Sequence, residues 1–194
     1  MKNIVIMLLV INALMSYEVD VPNKVSKHIV KIEDDRAMGT AFYVMYKGKS
    51  HLITNKHVCD DNKYMNIPEG KVKVIAVSKN HDLCLLESDR KDGLRFSNIE
   101  LKPFVKVSVI GHPRGYPLTV REGRFVTQEL ALVYGDLLDM IHISVPAFGG
   151  NSGGPILDKY GHVLGVLFLS NAATEEDSYG VPKADLIRFL NTIN

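Results

Sequence analysis

The sequence predicts an all-β protein of sandwich or barrel architecture, and three observations carry that reading. Short β-branched and aromatic runs recur from Val25 onward, each bounded by Gly, Asn, Asp or Lys clusters. Only two stretches read as helical: the turn after His57 and the C-terminal tail. The polar, turn-rich segment "DRKDGLRFSNIELKP", residues 89–103, divides the runs into two groups of similar size, as a boundary between two barrels would.

In chain order the first feature is "MKNIVIMLLVINALMS", in which one lysine precedes an apolar run from Ile4 to Met15. That run is 12 residues long, whereas a membrane-spanning helix needs about 20. Residues 1–20 therefore read as a signal peptide or a short hydrophobic N-terminal segment, and export is the expected localisation. The runs "KHIVKIE", "GTAFYVMY", "SHLITN", "KVKVIAVS" and "DLCLLES" read as strands of a first unit over residues 21–100. A second unit over residues 101–194 is built from "VKVSVIGH", "LTVREGRFVTQEL", "IHISVP" and "HVLGVLFLS". In the tail "VPKADLIRFLNTIN", Pro182 suits a helix start, and Leu186, Ile187, Leu190 and Ile193 repeat at helical spacing.

Composition narrows the function classes. At 194 residues and 21.6 kDa the chain can bury a core without staples. A net charge of +1 suggests neither nucleic acid nor a strongly charged surface as partner. Two cysteines, Cys59 and Cys84, are too few for a disulfide scaffold and lack the CxxC spacing of a metal site. No metal and no cofactor are expected.

Three segments carry chemistry. In "FGGNSGGP", residues 148–155, glycines permit a backbone in which two amides converge on one point while Ser152 stands clear. The same residue types also make ordinary loops. In "HLITNKHVCD" an apolar strand ends in a polar turn that delivers His57, and in "HDLCLLES" Asp82 leads an apolar strand. Serine is a weak nucleophile that needs a neighbouring base, and the base needs an orienting group, so the three segments matter only together.

In the order His, Asp, Ser, the motifs "ITNKHV", "HDLCLLE" and "GNSGGP" resemble those of the trypsin-like serine peptidases of the chymotrypsin fold. The likeness is nearest to the Deg/HtrA-type branch, and "VSVIGHPRGYPLTVREGRFV" is similar to the opening of the second barrel there. The resemblance implies two antiparallel six-stranded β-barrels with a C-terminal α-helix, His57 and Asp82 on the first barrel and Ser152 on the second. It implies Ser152 as nucleophile, His57 as general base and Asp82 as its orienting carboxylate, with an oxyanion hole at Gly150, Asn151 and Ser152. Protein or peptide substrates follow, cut through an acyl-enzyme. A peptide-binding PDZ module is not expected in the chain, which ends at Asn194. The competing reading is a non-catalytic peptide-binding protein on the same scaffold.

Two departures refine the expectation. Pro146 stands where members that cut after Lys or Arg carry an acid, and Val145, Ala147, Leu167, Phe168 and Leu169 around it are apolar, so small or medium apolar residues are expected before the cut. Cys59 and Cys84 each follow a triad position by two residues, which leaves a disulfide open, but buried free side chains are the expectation.

Overall fold

The computed structural model describes residues 23–59, 61–133, 136–170 and 176–193; the apolar N-terminal run expected as an export leader lies outside them. The first barrel closes in the order β1-β2-β3-β6-β5-β4: β1 Ile29–Glu33, β2 Met38–Tyr46, β3 Lys49–Thr54, β4 Tyr64–Ile67, β5 Gly70–Val77 and β6 Cys84–Leu86. The second comprises β7 Lys106–Gly111, β8 Thr119–Val133, β9 Asp136–Ile143, β10 Pro155–Asp158, β11 Val163–Ser170 and β12 Ser178–Pro182. Its order, β10-β11-β12-β9-β8-β7, repeats the connectivity of the first. All the pairings between these strands are antiparallel, as the resemblance implies.

Strand periodicity explains where the core sits. Successive side chains of a strand point to opposite faces, so β2 sends Ala41 and Tyr43 into the first barrel beside Val30, Leu52 and Met65. Its alternate residues, Phe42 and Val44, pack between the barrels with Leu83, Leu85, Leu157 and Val163. Both faces of this strand are thus buried, which is why "GTAFYVMY" is nearly continuous in apolar character. By contrast β5 alternates Val72, Val74 and Ala76 with exposed Lys71 and Lys73, since one of its faces meets water.

The chain end fastens the two halves. Helix α2, Lys183–Asn191, begins directly after Pro182 and buries Leu186, Phe189 and Leu190 in the inter-barrel cluster. The Tyr46 hydroxyl donates to Asn191 Oδ1 at 2.9 Å, tying the helix to β2. Of the residues expected on its apolar face, Ile193 lies past the helix and is exposed.

Cys59 and Cys84, expected as free buried side chains, are joined in a disulfide. The cause is topological. Cys84 pairs with Thr54 at the end of the β3–β6 ladder, and the one-turn helix α1, Lys56–Cys59, folds the chain back over that end. This brings the two Cα atoms to 6.6 Å, within bonding range. Both residues remain fully buried, so the expected burial holds while the expected free thiols do not.

Candidate active site

His57 lies in α1, just past the end of β3, and Asp82 lies two residues before β6; the β3–β6 ladder sets them side by side. His57 Nδ1 is 2.5 Å from Asp82 Oδ2, and the His57 backbone N–H donates to Asp82 Oδ1 at 2.8 Å. Buried Asn55 donates from Nδ2 to the Asp82 carbonyl at 2.8 Å, holding the carboxylate's backbone in place. The imidazole is 46% exposed and its carboxylate partner 11%, so the aspartate is shielded while the ring faces outward.

Ser152 enters from the second barrel. The loop between β9 and β10 packs against β2 through Thr40, whose N–H donates to the Ser152 carbonyl at 2.9 Å and whose Oγ1 donates to the Gly150 carbonyl at 2.8 Å. The same Oγ1 accepts from the His112 N–H at 3.0 Å, and the Thr40 carbonyl accepts from Thr54 Oγ1 at 2.7 Å. Glycine is required at two points. Gly150 has φ +92, and a Cβ there would lie 2.4 Å from the His112 carbonyl oxygen; Gly153 has φ +83, and a Cβ would lie 2.2 Å from Thr54 Oγ1.

The peptide before Gly150 is pinned as well. The Arg114 N–H donates to the Gly149 carbonyl at 2.6 Å. In a trans peptide the N–H points opposite to the C=O, so the Gly150 amide faces away from the 113–115 turn. Among the described residues neither the Gly150 nor the Ser152 N–H has a hydrogen-bond acceptor. The Asn151 N–H, expected in the oxyanion hole, instead donates to the Phe148 carbonyl at 3.0 Å. The Asn151 side chain is buried, with Oδ1 placed 2.9 Å from where a Cβ on Gly111 would sit.

A cavity of about 240 Å³ is lined by His57, Ala147, Phe148, Gly149, Ser152, Leu167, Phe168 and Leu169. It brings His57 and Ser152 to one space, although the Ser152 hydroxyl is turned to the Phe168 carbonyl at 3.5 Å rather than to the imidazole. Of the six residues expected in the specificity pocket, Ala147, Leu167, Phe168 and Leu169 line it. Val145 is instead fully buried in the core of the second barrel, and Pro146 is not among the lining residues. Phe148 and Gly149 were not anticipated there; their place directly before the serine loop was the available signal. Nearby, burial holds the His112 imidazole below its ordinary pKa, and Lys31 adds to the effect.

Two barrels of one connectivity, with a histidine–aspartate pair from the first and a glycine-rich serine loop from the second opening on a shared cleft, define the class of chymotrypsin-like double-barrel folds. Residues 39–166 match the model of the trypsin-like peptidase domain, and the chain belongs to that family. It is 33% identical over 137 residues to the protein y4bJ of Sinorhizobium fredii, an alignment covering 66% of this chain and 21% of that protein. A probable periplasmic serine endoprotease, DegP-like, from Pseudomonas fluorescens is 30% identical over 139 residues, covering 68% of this chain and 29% of its own length. The chain thus spans under a third of the curated relatives it matches. Among solved structures, the Rv3671c protease from M. tuberculosis superposes with a TM-score of 0.74 at 24% identity, over 86% of this chain and 81% of that one. The serine endoprotease from Yersinia pestis gives 0.75 at 19% identity, over 90% and 65%.

Proposed function

We propose that the protein is a serine endopeptidase that acts through His57, Asp82 and Ser152. The observation that carries this reading is the 2.5 Å contact of His57 Nδ1 with the Asp82 carboxylate at the lip of the cavity that Ser152 also lines. A carboxylate bound to Nδ1 fixes the tautomer in which Nε2 is free to accept a proton. Rotation of Ser152 about χ1, a picosecond-to-nanosecond event for an accessible side chain, turns Oγ from the Phe168 carbonyl towards that nitrogen. Attack by Oγ on a peptide carbonyl then passes the hydroxyl proton to His57. The developing oxyanion is received by the Gly150 and Ser152 amides, whose lack of internal acceptors supports that role. His57 returns the proton to the leaving amine, and water activated by the same base releases the acyl group.

The walls of the cavity support a preference for small or medium apolar residues before the cut. Ala147, Leu167 and Phe168 offer no partner for a charge, and burial of apolar surface there contributes about 25 cal/mol per Å². Export is the reading supported by the apolar N-terminal run, the periplasmic naming of relatives and a disulfide suited to an oxidising compartment.

A fluorophosphonate probe tests the reading. The intact chain should be labelled on Ser152, and Ser152→Ala should not be labelled. Absence of labelling in well-folded protein would favour the non-catalytic binder instead.

A further inference from the structure

Two arginines flank Phe148, one of the residues that line the cavity. The guanidinium carbon of Arg114 lies 5.2 Å from the Phe148 ring centroid and that of Arg121 lies 5.0 Å from it. The two arginines come from separate elements, the turn at Pro113–Gly115 and strand β8, and converge on one aromatic ring. Phe148 in turn lines the cavity with His57 and Ser152.

Neither arginine is neutralised. Among the described residues no carboxylate forms an ion pair with Arg114 or Arg121, in contrast to Lys27, Lys31, Arg90, Lys102 and Arg188, each of which has one. The acid next in sequence, Glu122, is exposed and of opposite strand parity to the half-buried Arg121. Arg121 Nε is buried with no hydrogen-bond partner, so the phenyl face, not a hydrogen bond from Nε, is what orients this fork. A half-buried guanidinium held only by a ring is costly unless an outside anion completes it.

We infer that Arg114 and Arg121 form a subsite for an acidic side chain of the peptide substrate, within two residues of the scissile bond. The apolar wall of Ala147, Leu167 and Phe168 takes the residue before the cut, and the arginine pair takes a nearby Asp or Glu. A planar guanidinium matches a carboxylate with paired N–H donors, and such charge-assisted contacts discriminate strongly against the neutral amide of the same shape. The inference rests on the proteolytic reading for its substrate, but its test does not require turnover.

The test uses fluorescein-labelled peptides of apolar sequence that differ only by Glu against Gln at each of the positions flanking the target bond. Binding is measured by anisotropy to the Ser152→Ala chain, which removes cleavage. For at least one position the Glu peptide should bind about tenfold more tightly than its Gln twin. In Arg114→Gln and in Arg121→Gln that ratio should fall towards one. Arg114 is exposed, so its variant keeps the test open if Arg121→Gln folds poorly. Equal binding of Glu and Gln peptides at every position, or a ratio unchanged in Arg114→Gln that folds as the parent does, overturns the subsite. Cleavage of the Gln peptides by the unsubstituted chain reports on the peptidase separately, so failure of the subsite and failure of the proteolytic reading give different results.

Discussion

Reducing the Cys59–Cys84 disulfide should cost the fold about 3.5 kcal/mol. The bond closes a loop of sequence separation 25, and the chain-entropy relation gives about 11.7 cal/mol/K for a loop of about 25 residues, or about 3.5 kcal/mol at about 298 K. For a domain of about 170 folded residues each kcal/mol shifts the melting temperature by about 2–4 °C, so the expected fall is about 7–14 °C. The assay is a pair of thermal melts followed by circular dichroism, one of oxidised protein and one in strong reductant, with free thiols counted by mass spectrometry. The reduced protein has the same side chains as the oxidised one, so packing is not altered by substitution. A fall below about 2 °C with both thiols shown to be free would refute the loop-closure argument.

Other outcomes follow from buried polar groups. Thr40→Val keeps the shape of the side chain but leaves the Gly150 carbonyl and the His112 N–H without their partner. At about 1–3 kcal/mol per unpaired buried group the loss should be at least about 2 kcal/mol in urea unfolding; a neutral substitution would show that water replaces the hydroxyl. Stability should also fall on mild acidification. Burial chiefly holds His28, His51 and His112 below their ordinary pKa in the folded state, so the unfolded chain takes up protons first. Their contribution is complete above the unfolded value, about 6.5, and drains away as pH falls from there through the lower folded values. A melting temperature at pH 5 equal to or above that at pH 7.5 would contradict this.

The barrels were legible because long runs such as "GTAFYVMY" and "HVLGVLFLS" are flanked by turn residues. Three strands were not. β4, β10 and β12 are four or five residues long; β10 opens on Pro155 and β12 contains Gly180 and ends at Pro182. Pro and Gly ordinarily argue against a strand, while β4, YMNI, is too short and mixed in polarity to stand out as a run. The strand leading to the serine loop was misplaced for a related reason. "IHISVP" begins only at Ile141, near the end of β9, because Asp136 and Asp139 interrupt the apolar pattern of a strand that pairs as far back as Val133↔Asp136. In the site, His57, Asp82 and Ser152 stood out through motif order. Val145, two residues past the end of β9, is taken up by the core of the second barrel, which a simple count back from Ser152 does not reveal. The disulfide was missed because two cysteines 25 positions apart carry no local signature; their meeting depends on the β3–β6 register.

Thr40 has a consequence for how such a chain matures. Its polar atoms knit one half of the molecule to the reactive loop of the other, so neither half alone can hold that loop in its working shape. On the proposed proteolytic reading, a newly made or partly opened chain is therefore a blunt blade, and competence to cut arrives only when both halves have closed.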